Sequence, residues 1–319
     1  MTPDPISDRL SPSCQDPSLD VPVGRPPLRA LFARTLASVL RVRSLPLAKW
    51  AFRDIERPLV LRRRFFGRDL YVDISRTDTH RLLYVDGERF VVERELIRGL
   101  VSPDMEIVEV GANIGYFTLL YDSATRGRAR ICCLEPEPDN LVELRRNVGR
   151  NGLAGVEILP LAASDHDGSA HLQLGINGVV GDVGEILVEI RRLDTLLDRK
   201  VDFIKIDVEG HEAHVIAGAA GLLHAHRPCV VVEVHPQLIH TPYTVADVFR
   251  LLSDSHDKLT VYIPEVRGSL FHRLRVRYLG TGGFRIVHDV AAVMADCDAG
   301  HITDPFWVVA ETTSAVNIS

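Results

Sequence analysis

Through the middle of the chain, short, predominantly apolar runs alternate with segments whose apolar residues recur at helical spacing. The strand-like runs are Glu106 to Val110, Ala129 to Leu134, Val156 to Leu161, Phe203 to Ile206 and Val230 to Val234. Between them lie the helical segments Ile114 to Tyr121, Asn140 to Val148 and Glu212 to Ala220. Short, predominantly apolar strands that alternate with helices predict a mainly parallel α/β sheet covered on both sides, a Rossmann-like arrangement. Past residue 236 the pattern thins to a helix over Val245 to Leu252, strands at Leu259 to Ile263 and Phe306 to Val309, and a Gly280 to Gly283 loop. No internal repeat is visible.

The N-terminal third reads differently. Leu28, Leu31, Phe32, Leu36, Val39 and Leu40 follow a helical period that Pro46 interrupts, predicting a helix whose apolar stripe packs on the main domain. Arg29, Arg34, Arg41, Arg43, Lys49 and Arg53 make this stretch basic, so residues 28–57 are also a weaker candidate for peripheral contact with a membrane surface. Leu59 to Phe66, Gly67, then Arg68 to Asp73 predict a hairpin turning at the glycine, placed as a cap or edge. A helical run from Phe90 ends at Ser102-Pro103-Asp104. Residues 1–27, rich in Pro, Ser and Asp, are expected to form a disordered tail, residues 28–100 a helical and hairpin extension, and residues 101–319 the main domain.

Composition narrows the function classes. Hydrophobic residues make up 46% and charged residues 25%, ordinary for a globular chain with a sizeable core. A formal net charge of -6 gives no general attraction to phosphate backbones, so nucleic acid is not an expected partner. The five cysteines, Cys14, Cys132, Cys133, Cys229 and Cys297, include no C-x-x-C pair and read as reduced thiols of a cytoplasmic protein. The N-terminus lacks the apolar core of an export signal, and no run of about 18 apolar residues predicts a membrane span.

The first strand of the sheet runs into Glu109-Val110-Gly111-Ala112-Asn113-Ile114-Gly115. Gly111 and Gly115 permit a sharp turn and close approach of a ligand to the backbone at the start of a helix. Asn113 stands where a dinucleotide loop has its second glycine, the one that admits a pyrophosphate, so a nucleotide-like cofactor without a pyrophosphate is expected. Glu109 could meet a cationic group and Asn113 an amino acid moiety. Glu135 closes the second strand, at the position and distance from which a carboxylate accepts hydrogen bonds from ribose hydroxyls. Ser164 and Asp165 after the third strand could take an adenine amino group, or form an ordinary turn.

Asp202-Phe203-Ile204-Lys205-Ile206-Asp207-Val208-Glu209-Gly210-His211-Glu212, preceded by Val110 to Gly115 and followed by Val232-Glu233-Val234-His235, resembles the FkbM family of methyltransferases over roughly residues 90–235. The resemblance implies a class I methyltransferase fold, S-adenosylmethionine as cofactor, and O-methylation of a sugar, glycan or other natural-product hydroxyl. It also implies Gly111, Asn113 and Gly115 at the methionine part, Glu135 at the ribose, and Ser164 and Asp165 near adenine.

Methyl transfer to an alcohol needs alignment, exclusion of water and removal of a proton. Asp207 ends the fourth strand and Glu233 the fifth, with His211 and His235 just beyond, and a parallel sheet sets these ends side by side. These four are the expected catalytic residues, with His235 or His211 as base. Two adjacent carboxylates need a shared proton or a cation; a divalent metal on Asp207 and Glu233 would serve, though no ligand spacing demands one. Glu209 reads as a helix-dipole residue, and Lys205 as a partly buried lysine reaching solvent or a carboxylate. Two alternatives stay open: a nucleotide-dependent oxidoreductase on the same fold, and a non-catalytic cofactor-binding module. The acceptor hydroxyl and the oligomeric state are not specified.

Overall fold

The computed structural model describes residues 22–40, 45–85, 91–173, 179–181, 183–239, 242–264 and 284–312. The tail as far as residue 21, Cys14, Arg41, Arg43, Phe90 and the Gly280 to Gly283 loop lie outside the described residues.

The extension comprises α1 (Leu28–Leu40), α2 (Leu45–Ala51), β1 (Val60–Phe65), β2 (Arg68–Asp73), α3 (Asp78–Val85) and α4 (Val91–Leu100). The expected helix at Leu28 is there, but its packing is reversed. Ala30, Ala33 and Ala37 are buried, whereas Leu28 and Phe32 are 86% and 59% exposed. Small side chains let α1 approach α2 and α3 closely, so the alanine face rather than the leucine stripe turns inward. β1 and β2 pair antiparallel in the predicted hairpin, with Phe66 and Gly67 both at positive φ in the turn.

The main domain continues with β3 (Glu106–Val110), α5 (Tyr116–Ala124), β4 (Arg130–Leu134), α6 (Pro138–Asn151) and β5 (Val156–Leu159). Next come β6 (Ala162–Ala163), β7 (Gly168–Gln173), β8 (Val179–Gly181), β9 (Ile186–Arg191), α7 (Leu193–Leu196), β10 (Phe203–Ile206), α8 (Glu212–Ala217), α9 (Ala220–His226) and β11 (Cys229–Val234). The described chain closes with α10 (Val245–Ser253), β12 (Lys258–Pro264), β13 (Phe284–Val287), α11 (Val290–Asp298) and β14 (Phe306–Glu311).

Eight strands form the main sheet in the order β13-β12-β14-β11-β10-β3-β4-β5. From β5 to β11 all pairs are parallel, and β14 enters antiparallel between β11 and β12. The chain starts in the middle at β3, runs outward to β5, and returns to β10 on the other side of β3. That reversal is the topological switch point at which ligands bind in open α/β sheets. The alternation along β6 to β9, which form a separate four-stranded sheet in the order β6-β9-β7-β8, was not anticipated. Ile186, Val188 and Ile190 carry a period-two signal there, weakened by the exposed Leu187.

One hydrophobic cluster runs from Ala30 and Phe52 through Leu61 and Tyr84 to Ile107, Tyr116 and Phe203, so the extension shares a core with the sheet. Its hairpin is fixed further by α6. Backbone N–H groups of Asp69, Tyr71 and Asp73 donate to Asn151 Oδ1 (2.9 Å), Asn147 Oδ1 (2.6 Å) and Glu143 Oε2 (2.9 Å). Four helical residues rise about 6.0 Å and two strand residues about 6.6 Å, so i, i+4 side chains on a helix can serve alternate amides of an edge strand.

Candidate active site

A cavity opens at the switch point. Its floor is the turn after β3, where Gly111 (φ 82), Asn113 (φ 51) and Gly115 (φ 88) all take left-handed backbone. At Gly111 a side chain would strike the backbone carbonyl of Asp207, so glycine is required by the packing of β3 on β10 rather than by the space of a ligand. Asn113 folds its Oδ1 back to the Ile114 N–H (2.8 Å), and its own N–H donates to Glu135 Oε2 (2.7 Å). Asn147 Nδ2 donates to both Ile114 O (2.8 Å) and Tyr71 O (3.0 Å), tying the turn to the hairpin.

Glu135 faces the cavity from the end of β4. Its Oε1 accepts the Glu137 N–H at 3.0 Å, and burial pushes the carboxyl up to about 7 against the pull of its backbone and Asn140 donors.

Of the expected site residues, Gly111, Asn113, Glu135, Asp207, His211 and Glu233 line the cavity. Glu109, Gly115, Ser164, Asp165 and His235 do not. Glu109 is buried under the sheet, accepting from Thr118 Oγ1 at 2.6 Å, and burial raises it to about 7. Gly115 instead abuts Leu144 as the first cap of α5. Ser164 lies behind the wall with its Oγ 3.0 Å from His211 Nε2, and Asp165 accepts from Tyr243 Oη (3.2 Å) and pairs with His166 Nδ1 (2.7 Å). The wall at that strand end is made by Ala162 and Ala163. A tight turn therefore accounts for Ser164 and Asp165, because β6 and β9 pair just before them and bend the chain away.

The other half of the cavity is an ionic cluster on one face of three strands. Register places Lys205 opposite Glu109 on β3 and opposite Val231 on β11. Lys205 is 1% exposed, with Nζ 2.8 Å from Asp207 Oδ2 and 4.7 Å from the Phe117 ring centre. It reaches a carboxylate and not solvent. Lys and Asp two apart on a strand share a face, so the sequence carried this signal.

Burial works to raise Asp207, but the Lys205 ammonium and the neighbouring His235 outweigh it and hold the carboxyl below the usual range. Glu233 has the opposite fate: burial and the Asp207 charge drive it well above the carboxylate range. The pair thus carries one negative charge between its members, with Lys205 beside it.

His235 is 6% exposed, its Nδ1 2.8 Å from Glu212 Oε1 and its Nε2 3.4 Å from Glu209 Oε2. Burial opposes its charge, yet the Glu212 bond and the charges of Asp207 and Glu209 raise it to about 9. At neutral pH it is an imidazolium. His235 stands behind the lining carboxylates Glu209 and Glu233, and a group already protonated is not a poised base, unlike the expectation placed on His235. Glu209 is more than a helix-end acid: it faces the cavity from a strained backbone (φ 51). Ligand atoms of Asp207, Glu209 and His235 lie within 4.8 Å of one another, a set different from the expected Asp207 and Glu233 pair.

Sequence reasoning also missed who closes the cavity. Thr79 and Leu83, one turn apart on α3 of the extension, and Leu172 and Val180 of the small sheet complete its wall. Non-local packing brings these four there, and no local spacing marks them. Five carboxylates line the cavity, Glu135, Glu137, Asp207, Glu209 and Glu233, and among the described residues no lysine or arginine does.

The strand order with an antiparallel strand set between β11 and β12, the glycine turn after the first strand and the acid closing the second define a Rossmann-like fold of the class I methyltransferase type. Residues 109–265 match the family model described as the methyltransferase FkbM domain, so that stretch is an FkbM-type methyltransferase domain. Among curated proteins the chain is 27% identical over 154 residues to the 2-O-methyltransferase NoeI of Sinorhizobium fredii, covering 40% of this chain and 62% of that one. It is 28% identical over 177 residues to the hexuronic acid methyltransferase AglP of Haloferax volcanii, covering 51% and 69%. Among solved structures, the methyltransferase FkbM of Methylobacillus flagellatus KT aligns with a TM-score of 0.38 at 21% identity, over 55% of this chain and 48% of that one. TYW2 of M. jannaschii in complex with AdoMet aligns with a TM-score of 0.44 at 12% identity, over 81% and 87%. The chain therefore spans less than two thirds of the length of the first of these curated relatives and about half of the first structure.

Proposed function

We propose that this chain transfers a methyl group from S-adenosylmethionine to a hydroxyl of a sugar or glycan. The observation that carries the reading is a cavity at the switch point whose ionisable lining is carboxyl groups and His211, beside an apolar wall. Lined by carboxyl groups, of which Glu233 holds its proton, and by no lysine or arginine among the described residues, the cavity suits a cationic sulfonium and offers no cation to the pyrophosphate that an oxidoreductase's dinucleotide would bring. The names of NoeI, a 2-O-methyltransferase, and AglP, a hexuronic acid methyltransferase, support O-methylation and a sugar acceptor.

When bound, S-adenosylmethionine supplies an electrophilic methyl on a positively charged sulfur. Glu135 would accept hydrogen bonds from the ribose hydroxyls, the turn at Gly111 and Asn113 would meet the methionine part, and Ala162, Ala163, Leu172 and Val180 would seat the adenine. Asp207 takes the acceptor's proton. An alcohol oxygen becomes strongly acidic as it gains the methyl, so a carboxylate kept ionised by Lys205 is base enough. Protonated Glu233 donates to Asp207 or to the acceptor, and His211 borders the acceptor space. His235 contributes a fixed positive charge through Glu209 and Glu212.

We assign the route without metal, because the Lys205 ammonium at 2.8 Å from Asp207 already supplies the cation. Residues 101–319 carry the transfer domain, and residues 28–100 close its cavity through Thr79 and Leu83. Calorimetric titration of the protein with S-adenosylmethionine and with NAD, followed by transfer of labelled methyl to a panel of hexuronic acids, deoxysugars and oligosaccharides, tests the reading. NAD binding without S-adenosylmethionine binding would refute it. Activity that vanishes with chelator and returns with magnesium would move the mechanism to Asp207, Glu209 and His235 as metal ligands.

A further inference from the structure

α1 and α2 turn their small residues inward and their large apolar residues outward. Leu28 is 86% exposed, Phe32 59%, Trp50 41% and Leu45 36%, while Ala30, Ala33, Ala48 and Ala51 are fully buried. The rings of Phe32 and Trp50 meet edge to face with centroids 6.2 Å apart, so side chains from both helices form one continuous ridge. Scattered exposed apolar residues are ordinary; an aromatic and aliphatic ridge spanning two helices marks a contact surface.

Charge says what kind of surface would meet it. Residues 25–57 hold eight lysines and arginines against only Asp54 and Glu56, in a chain whose formal net charge is -6. Arg29 and Lys49 are paired with Asp54 (2.5 Å) and Asp78 (2.8 Å), and the Arg53 side chain, 64% exposed, also approaches Asp54 at 3.6 Å. Arg25 and Arg57 are exposed. A second copy of the chain is a poor occupant, because a two-fold contact would set this basic surface against itself.

We propose that this face docks on an anionic lipid bilayer, with Leu28, Phe32 and Trp50 at the headgroup boundary and Arg25, Arg53 and Arg57 on lipid phosphates. Lys49 joins α2 to Asp78 of α3, the helix that carries Thr79 and Leu83 into the cavity wall, so the docked face packs directly on a helix of the cavity. The docking does not depend on the methyl-transfer reading.

The test uses the full chain and vesicles of phosphatidylcholine with or without about 40% phosphatidylglycerol. The chain holds two tryptophans, Trp50 and the 7% exposed Trp307, so a blue shift on adding vesicles reports Trp50. Sedimentation with the anionic vesicles only, a blue-shifted emission, and release by about 0.5 M salt are expected. Phe32→Glu should cut partitioning about tenfold or more while leaving the melting temperature unchanged. Absence of binding and of the shift would overturn the proposal, as would equal binding to neutral vesicles. So would a concentration-dependent dimer that Phe32→Glu dissolves, which would make the ridge a contact between copies. Unchanged S-adenosylmethionine binding in any of these cases separates failure of the docking from failure of the functional reading.

Discussion

The two halves of the cavity are built by different means. The half at the ends of β3 and β4 is made by backbone: three left-handed residues, and amides of Asn113 and Glu137 pinned on Glu135. The half at the ends of β10 and β11 is made by side chains, with Lys205, Asp207, Glu233 and His235 setting one another's charge across strands. A backbone-built half holds its shape through substitution of most side chains, whereas the ionic half changes chemistry when any member changes. The first half is shaped by backbone hydrogen bonds; the second holds a carboxylate kept ionised by a neighbouring ammonium.

The largest break in this contrast should come from Asp207→Asn. Turnover should drop about a hundredfold or more with cofactor affinity within about threefold of wild type, by single-turnover transfer and calorimetry. A variant with normal turnover would remove the ionic half from the mechanism. Glu135→Ala should do the converse, weakening cofactor binding about tenfold or more, because it takes the ribose acceptor and frees the Asn113 and Glu137 amides together. Affinity within about twofold would show that the backbone half stands without its carboxylate.

Lys205→Met sharpens the comparison through pH. Asp207 must be ionised to act and Lys205 holds it low, so removing the ammonium raises Asp207 and moves the acid limb of the rate profile upward by about one pH unit. An unmoved limb would mean that Lys205 does not set the base.

The smallest effect concerns stability. His235 rises on folding from 6.5 to about 9, so its contribution is complete below 6.5 and is lost as pH climbs through 9. Glu135, raised from 4.5 to about 7, loses its contribution earlier, as pH rises from 4.5 through 7. Thermal melting from about pH 7 to 9.5 should therefore fall in the wild type by about 2–4 °C more than in His235→Gln. Parallel curves would show that His235 is not held as a cation.

A Gly111→Val replacement looks from the sequence like a clean probe of the cofactor loop. The structure shows that the added side chain strikes the Asp207 carbonyl, so the change would damage β3 and β10 packing before it reached any ligand. The glycine was legible as a site of close approach; what approaches it was not, since the approaching backbone comes from a strand nearly a hundred residues away.

The same division runs through the whole molecule. The alternation of strands and helices, the glycine turn, the carboxylate closing the second strand and the acids at the ends of the fourth and fifth are local patterns, and periodicity with loop chemistry sufficed to place them. Ser164 and Asp165 stand in a turn outside the cavity lining, just past the point where β6 pairs with β9. Periodicity marked α1 as a helix but not its buried face, for alanine and leucine both satisfy an apolar pattern and only the spacing to α2 and α3 selects the smaller. Lys205 and Asp207 lie two apart and were readable as sharing a face. That they meet Glu109 on one side and Glu233 on the other depends on register across three strands. The chain by itself determined the sheet, the loop and the kinds of groups at its mouth. Tertiary structure alone decided which carboxylate keeps its proton, that His235 is held as a cation, and that α3 closes the cavity, because those outcomes depend on burial and on distances between segments remote in sequence.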